Sequence, residues 1–187
     1  MMSVPKRSLK MYLQESYNTE RLHLRRPQIS DAPQIFDSYA QDEDVCRYMT
    51  WLPYEDLRAY EDWLSDKIAS IGKKVQTYVI CHVDNKSRVI GMLDATIKGH
   101  RAEVGYALAK EEWSKGYMTE AVSKLLEALL AEPDIYRVSA VCDLENLGSS
   151  RVMEKSGMTY EGILRRYIIH PCISNEPRDV KCYSKTL

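Results

Sequence analysis

The residues best suited to binding an anion lie in the stretch WSKGYMTEA, residues 113–121, around Gly116. A glycine at a helix entrance lets the backbone approach another group closely. The unpaired amides of a helix's first turn and the positive end of its dipole together form an anion site. Gly116 therefore indicates either a phosphate-binding loop or tight helix packing, and the residues alone leave both readings open.

Two common nucleotide-binding motifs are absent from the sequence. A Walker loop needs a glycine, four residues, a second glycine, a lysine and then serine or threonine, and a dinucleotide fingerprint needs three spaced glycines. Neither order occurs in this chain. A nucleotide-binding protein is therefore our third hypothesis, behind the two given below.

The charge balance and the cysteines limit the partners. The chain has 26 basic and 27 acidic residues and a formal net charge of −1. Such a chain has no global field to attract nucleic acid or an anionic membrane, so we predict neither partner. The five cysteines form no close metal-binding or redox pair. We therefore expect no metal and free thiols in a reducing compartment. Because the N-terminal residues lack a signal-peptide core, we expect a cytoplasmic location.

The elements that must position Gly116 follow from hydrophobic periodicity. A stripe from Met118 to Leu130 recurs every three or four residues and predicts a helix, which Pro133 ends. Strand-like segments lie on both sides of this helix, so strand, helix and strand imply a right-handed parallel crossover. The preceding strands, predicted to form an antiparallel meander, are VQTYVICHV, RVIGMLDATI and AEVGYALA, and the following strand is YRVSAVC.

The remaining segments complete a mixed α and β pattern. We predict a strand in ERLHLRRP, a capped helix in SDAPQIFDSYAQ, a helix from Pro53 to Gly72, a short helix near residues 147–156, and final strands in MTYEGILRRYII and DVKCYSKT. A chain of 187 residues with 44% hydrophobic content suffices for one ordinary core. We therefore predict a flexible extension over residues 1–18 and a single domain over residues 19–187.

Two blocks of the sequence, EVGYALAKEEWSKGYMTEAVSKLLEALL and AVCDLENLGSSRVMEKSGMTYEGILR, resemble the GNAT superfamily of N-acetyltransferases. The resemblance is to the branch of the ribosomal-protein-alanine N-acetyltransferases, and it extends from about Glu20 to the C terminus. It implies a mixed α/β (α+β) fold whose central twisted sheet is mostly antiparallel. It also implies a parallel strand pair that is splayed at a coenzyme site, and helices that flank the sheet.

The resemblance implies acetyl-coenzyme A as donor cosubstrate. Its pyrophosphate would lie on residues 114–119, its pantetheine beside the strand ending near Leu108, and Asn146 would contact the pantetheine. The coenzyme-binding residues thus implied are Leu108, Ser114, Lys115, Gly116, Tyr117, Met118, Thr119 and Asn146. The usual loop has glutamine or arginine where this chain has Trp113, which is common in this branch. It has glycine or alanine where this chain has the bulkier Met118, which would crowd the phosphate.

Acetyl transfer requires a base for the amine, a stabilised oxyanion and a proton for the departing thiolate. The resemblance implies Glu103 as the base, although a solvated charge at a strand end is an equal reading. Glu161, His100 and Tyr106 are weaker candidates. A backbone amide near Leu108 would meet the oxyanion if the strand carried a bulge, at which Gly105 hints.

The proton donor to the thiolate differs from that of many superfamily members. Many use a tyrosine seven residues after the asparagine, but Met153 occupies that position here. Ser149 matches the serine that this branch offers instead. A thiol with a pKa of about 8.5 needs only a weak donor, or water. Capping of the following helix is an equal reading for Ser149.

These residues support a cytoplasmic N-acetyltransferase that moves acetyl from acetyl-coenzyme A to a primary amine by direct attack in a ternary complex. The alternative is a non-catalytic coenzyme A binding module, suggested by Met153 and the open role of Glu103. The residues are compatible with a protein N-terminal amine or a small amine as acceptor, and with a monomer or a homodimer. Tyr39, Tyr48, Trp51 and Tyr54 fall where the family builds its acceptor pocket, although core packing is their simpler reading.

Overall fold

A single mixed sheet forms the centre of the molecule. The structure is a computed structural model and describes residues 13–72 and 74–187. The described residues contain eight strands in the spatial order β1-β2-β3-β4-β5-β6-β8-β7. The strands are β1 (Ser16–Asn18), β2 (Leu22–Arg25), β3 (Val75–His82), β4 (Asn85–Lys98), β5 (Arg101–Leu108), β6 (Arg137–Asp143), β7 (Thr159–Ile168) and β8 (Arg178–Thr186).

Helices cover both faces of this sheet. They are α1 (Ala32–Ile35), α2 (Glu43–Cys46), α3 (Leu57–Ser70), α4 (Tyr117–Leu130) and α5 (Leu147–Lys155). Alternate residues of β3 enter different cores: Tyr78 packs with α4, and Val79 packs with the α1–α3 side. Because successive side chains of a strand point to opposite faces, β3 contributes to a hydrophobic layer on each face of the sheet and is buried on both faces.

The sheet opens between β5 and β6, its parallel pair. Register between them extends only from Arg101 opposite Arg137 to Glu103 opposite Ser139. Beyond Glu103, β5 continues to pair with β4 as far as Leu108, while β6 pairs with β8 on its other side. The carboxyl ends of the two parallel strands are therefore separated, and this gap holds the site described below.

The fold class and most elements expected from the sequence are confirmed. The meander, the parallel pair, α4 and α5 all lie where the periodicity places them. The predicted first helix is a short 3₁₀ turn, α1 and a π-helical turn in succession. Helix α3 begins at Leu57, not at Pro53, because the Asp56 carboxylate caps it and the Tyr54 amide is bonded to the Ala40 carbonyl at 3.0 Å.

Strand β1 and helix α2 are short elements that the sequence analysis did not predict. Strand β1 pairs with β2 and so places Ser16–Asn18 in the sheet, although these residues lie within the stretch expected to be a flexible extension. Residues 1–12 of that stretch lie outside the described residues. Helix α2 is a single turn capped by Asp42, too short to show a hydrophobic period.

Candidate active site

A cleft of about 1140 Å³ occupies the gap between β5 and β6. Its walls come from the ends of these strands, the entrances of α4 and α5, the segment of residues 44–50, and the chain after β7. Every residue that the sequence assigned to coenzyme binding lines the cleft, and so does Ser149. The open end of a parallel strand pair is a common ligand site, because it is bordered by helix N-termini and free backbone groups.

The entrance of α4 presents backbone donors to the cleft. Ser114 and Gly116 both have positive φ, of 62° and 82°, so the loop turns through two left-handed residues just before the helix. No side chain caps the helix at Gly116. The first-turn amides thus remain free to bind an anion, as the sequence predicted.

The bulk of Met118 does not obstruct this entrance. Its side chain is 5% exposed and packs in the main core with Val122 and the rest of the α4 stripe. The expectation that Met118 crowds the phosphate approach is therefore wrong. The residue packs α4 against the core and is also one of the residues that line the cleft.

Apart from Arg47, whose guanidinium lies 5.7 Å from the centroid of the Tyr48 ring, the basic residues of the cleft fall into two groups. Arg21 is held by Glu120 at 2.7 Å and by the Lys115 carbonyl at 3.0 Å, and Lys115 is paired with Glu112 at 2.9 Å. Arg151 and Lys155, on α5, line the same cleft and form no ion pair with any residue that the structure describes. The α5 side therefore offers two uncommitted positive charges to an anionic ligand.

The carboxylate of Glu112 is buried at the bottom of this charged region. Burial by itself would raise the pKa of Glu112, but the hydrogen bonds from Lys115 and His82 outweigh burial, and the pKa is lowered. Glu112 therefore stays ionised and fixes Lys115 near the helix entrance.

The edge of β5 provides further donors. Because the Ala109 amide donates to the Ile90 carbonyl on β4 at 2.8 Å, strand alternation turns the amides of Leu108 and Tyr106 away from β4, toward the gap. The Leu108 carbonyl faces the same way and accepts from Trp113 Nε1 at 2.8 Å. The β4–β5 register shows no shift, so the bulge expected near Gly105 is not present; the splay itself frees the amides.

Helix α5 places Ser149 beside the phenol of Tyr106. Asn146 caps the helix by accepting from the Ser149 amide at 3.0 Å, and Ser149 Oγ lies 2.8 Å from Tyr106 Oη. Burial raises the pKa of Tyr106 well above its usual value, so the phenol remains protonated. Tyr106 is therefore a hydrogen-bond donor and a poor base. It lines the cleft from β5, whereas Met153 is buried in the core.

The structure does not bring Glu103 into this cleft. Glu103 lies in the paired part of β5, outside the lining residues, and its carboxylate contacts Lys98 Nζ at 3.0 Å. Glu161 is also outside the lining; hydrogen bonds from Arg137 and Ser184 lower its pKa to about 2, so it is a poor base. His100 lies in the exposed β4–β5 turn and does not line the cleft.

Asp143 and His170 are among the cleft residues that the sequence analysis missed, as are Glu112, Arg151 and Lys155. Asp143 ends β6 and His170 follows β7; both are buried, both line the cleft, and the His170 ring lies 3.9 Å from the Asp143 carboxylate. Burial would raise the pKa of Asp143, but Arg178, at 2.6 Å, and the Glu145 amide, at 2.9 Å, more than offset burial and lower it. Asp143 is therefore a buried, ionised carboxylate beside a histidine.

A second, smaller cavity adjoins the cleft. It has a volume of about 180 Å³ and shares Tyr106, Ala107, Met49 and Thr50 with the cleft. Its aromatic walls are Tyr39, Trp51, Tyr54, Tyr60 and Trp63. Three of the four aromatic residues that the sequence indicated thus line this cavity, and the fourth, Tyr48, lines the cleft instead.

A sheet that opens between two parallel strands, with a helix beginning at the gap from each side, is the arrangement expected for an acetyl-coenzyme A-dependent N-acetyltransferase. Residues 21–159 match the family described as acetyltransferase (GNAT) domain. This match covers more than half of the chain. The protein therefore belongs to the GNAT family and is an acetyltransferase.

Individual relatives agree with this assignment. The chain is 31% identical over 160 residues to the uncharacterized N-acetyltransferase p20 of Bacillus licheniformis, which covers 82% of this chain and 87% of the relative. An acetyltransferase of the GNAT family from Bacillus anthracis has a TM-score of 0.79 and 25% identity, covering 91% of this chain and 98% of that one.

A third comparison concerns a ribosomal-protein acetyltransferase and shows the fold alone. RimL, described as a ribosomal L7/L12 alpha-N-protein acetyltransferase in complex with coenzyme A, has a TM-score of 0.77 at 19% identity. The match covers 90% of this chain and 96% of that structure. In the part of this chain that the structure describes, no helix is long and apolar enough to span a membrane.

Proposed function

We propose that the protein transfers acetyl from acetyl-coenzyme A to a primary amine by direct attack while both substrates are bound. The observation that carries this proposal is the meeting of free α4 amides, free β5 amides and the Tyr106–Ser149 pair in one cleft. These groups match the requirements of the reaction: a place for the donor's phosphates, an oxyanion contact and a proton for the thiolate.

The cleft residues fit acetyl-coenzyme A, which supplies the reactive thioester. The free amides at the entrance of α4 suit the pyrophosphate, and the turn through Ser114 and Gly116 exposes them. Arg151 and Lys155 would meet further phosphate charge from α5. Asn146 lines the cleft beside them and keeps its amide nitrogen for the pantetheine, because only its oxygen is used in capping α5.

Groups on β5 and α5 would stabilise the oxyanion and protonate the departing thiolate. The Leu108 amide, turned toward the gap, would donate to the oxyanion. Ser149 would give its proton to the departing thiolate and be resupplied by Tyr106, whose raised pKa keeps it protonated. Since a thiol has a pKa of about 8.5, this relay need only be a weak acid.

Glu103, the base that the resemblance implies, would have to act through water, because its carboxylate is not part of the cleft lining; a base within the cleft is argued in the next subsection. Its carboxylate is paired with Lys98 Nζ at 3.0 Å, and Lys98 also lies outside the cleft lining. A base so placed would require at least one water between itself and the amine.

The aromatic cavity supports an acceptor that carries an apolar or aromatic group beside its amine. The cavity meets the cleft at Tyr106 and Ala107, where β5 is unpaired from β6. A volume of about 180 Å³ suits one ring or short aliphatic chain, from a small amine or from the first side chain of a peptide. We further propose that residues 19–187 act as one acetyltransferase domain, as monomer or homodimer.

Amine-dependent release of coenzyme A tests the proposal. Purified protein and acetyl-coenzyme A would be incubated with benzylamine, phenethylamine, spermidine and short peptides beginning with alanine or serine. Products would be identified by mass, because the protein's own free cysteines react with thiol reagents. Tight donor binding with no acetylated amine would instead support the non-catalytic coenzyme A module, and tighter binding of ATP than of coenzyme A would support a nucleotide-binding protein.

A further inference from the structure

The His170 ring is held in one tautomer. Its Nδ1 lies 3.2 Å from the carbonyl oxygen of Met49. A carbonyl only accepts hydrogen bonds, so Nδ1 must carry the proton. In the neutral ring Nε2 is then the basic nitrogen, with its lone pair free.

That basic nitrogen has no hydrogen-bond partner within residues 13–72 and 74–187. His170 is 3% exposed and lines the cleft, so Nε2 is a buried polar atom beside a ligand cavity. Buried polar atoms are nearly always bonded, and an unpaired one costs free energy. A partner that arrives with the substrate would satisfy it.

A buried carboxylate lies beside the free nitrogen of His170. The Asp143 carboxylate is 3.9 Å from Nε2, too far for a hydrogen bond but close enough to attract a proton that Nε2 takes up during the reaction. Arg178 binds Asp143 from β8 and keeps it ionised, while Tyr48 meets the ring edge-on with centroids 6.2 Å apart. Among the described residues, Asp143 and Tyr48 are thus the titratable groups next to the ring, and Arg178 lies behind Asp143.

The position of His170 is on the acceptor side of the cleft. Met49, to which His170 is bonded, lines both the cleft and the aromatic cavity. An amine held between the two cavities would therefore approach the same segment that fixes the ring. Glu103, by comparison, lines neither cavity.

We propose that His170 Nε2 is the general base of the reaction, taking the proton from the attacking amine directly or through one water; this rests on the proposed function. As the amine nitrogen forms its bond to the thioester carbon, the carbonyl electron pair moves to oxygen and the nitrogen becomes positive. His170 removes one nitrogen proton. The oxyanion then re-forms the carbonyl, the carbon–sulfur bond breaks, and Ser149 protonates the sulfur. The imidazolium returns its proton to solvent, and the Tyr106–Ser149 pair regains one from it.

Substitution of His170 separates this role from a structural one. In His170→Asn the side-chain amide takes the place of Nδ1–H and keeps the bond to Met49, but no group replaces Nε2. We expect an unchanged coenzyme A Kd and thermal midpoint, and a kcat/KM for the best amine lowered about 100-fold, within the range for a lost general base. The acidic limb of the kcat/KM–pH profile should disappear, leaving only the limb due to the amine itself, and imidazole in the buffer should restore part of the rate.

Glu103→Gln serves as the matched comparison and should retain the acidic limb. A His170→Asn protein with less than a threefold loss and an unchanged profile would overturn the assignment, and so would loss of the limb in Glu103→Gln alone. If His170→Asn is unstable, His170→Gln is tested in its place against the same limits. A wild-type protein that binds acetyl-coenzyme A but acetylates no amine would overturn the proposed function and this role with it.

Discussion

Tyr106 Oη and Ser149 Oγ lie 2.8 Å apart and join strand β5 to helix α5 across the opening of the sheet. The pair spans the gap that the parallel strands leave when their register ends at Glu103. Tyr106 is partly buried, and burial raises the pKa of its phenol, so both hydroxyls of the pair are neutral and can donate a proton. Met153 on α5 is buried in the core and has no proton to donate, whereas Tyr106 on β5 lines the cleft.

Substitution of either hydroxyl should slow turnover without weakening donor binding. We expect Ser149→Ala to lower kcat about tenfold, at the small end of general-acid effects, because a thiolate is a good leaving group. Tyr106→Phe should lower it less, because Ser149 can draw on water. Steady-state rates with saturating acetyl-coenzyme A measure both effects.

The coupling between the two hydroxyls is the sharper measurement. If they form one relay, the double variant should lose no more than Ser149→Ala alone. Tyr136→Phe, at an exposed tyrosine, is the control and should be neutral. Fully additive losses in the double variant would show that the hydroxyls act independently.

Gly116→Ala should weaken coenzyme binding through the backbone. With φ at 82°, an alanine is strained by about 1 kcal/mol or more, and the loop would relax away from the left-handed turn. We expect a coenzyme A Kd about tenfold higher by calorimetry, equal to about 1.4 kcal/mol. Gly99→Ala has the same kind of strain at φ 65° with open space around it, away from the cleft. It should lower the thermal midpoint and leave the Kd unchanged; equal Kd changes in both would remove the loop from coenzyme binding.

Arg151→Gln and Lys155→Gln should weaken coenzyme A binding in a salt-dependent way. Both cations line the cleft without an ion-pair partner among the described residues, so their charge is available to phosphate. Each substitution should raise the Kd about three- to tenfold at low salt, in line with charge-assisted hydrogen bonds, and less at high salt. Lys124→Gln, on α4 outside the cleft, is the control. An unchanged Kd in the double variant would place the phosphates elsewhere.

Local periodicity was sufficient to predict the main elements. The alternation in β3–β5 and the three-four spacing in α4 are strong because each element buries a complete face. Helix α2, with four residues, is too short for any period, and the start of α3 depends on the Asp56 cap more than on Pro53. Short elements are fixed by tertiary contacts that the sequence pattern does not display.

The candidate site was predicted only in part, because some of its residues are brought together by tertiary structure and not by a local motif. Loop and helix-entrance residues such as Gly116 and Asn146 act through local backbone geometry, which a short motif encodes. Whether Glu103 reaches the cleft depends on where β5 and β6 separate, and no residue pattern marks that point. His170 meets Asp143 only because β7 and β8 return the chain to β6, so a lone histidine after a strand gave no signal.

Glu161→Gln should reduce stability at neutral pH and have no effect in strong acid. The folded pKa of about 2 lies below the ordinary value of 4.5, so the Arg137 pairing stabilises the fold above about pH 4.5, and this contribution is lost as pH falls toward about 2. Because Glu161 is more than a third exposed, the effect at pH 7 should be below about 1 kcal/mol. Urea unfolding at pH 7, 4 and 3 measures it against Glu20→Gln, which lacks an ion partner in the described chain. A constant difference at all three values would contradict the ionic origin.

Tyr39→Phe should change acceptor use without loss of stability. The Tyr39 hydroxyl is buried in the wall of the aromatic cavity and has no hydrogen-bond partner within the described chain, and burial raises its pKa, so it remains a neutral donor. Removal of an unpaired buried hydroxyl should leave the free energy of unfolding unchanged or raise it by up to about 1 kcal/mol. If the acceptor's apolar group enters this cavity, the hydroxyl of tyramine can accept a hydrogen bond from Tyr39. The substitution should then raise KM about fivefold for tyramine and leave KM for phenethylamine unchanged. A fivefold change equals about 1 kcal/mol, the contribution of one neutral hydrogen bond. Equal KM changes for both amines, or none for either, would show that acceptors do not reach Tyr39.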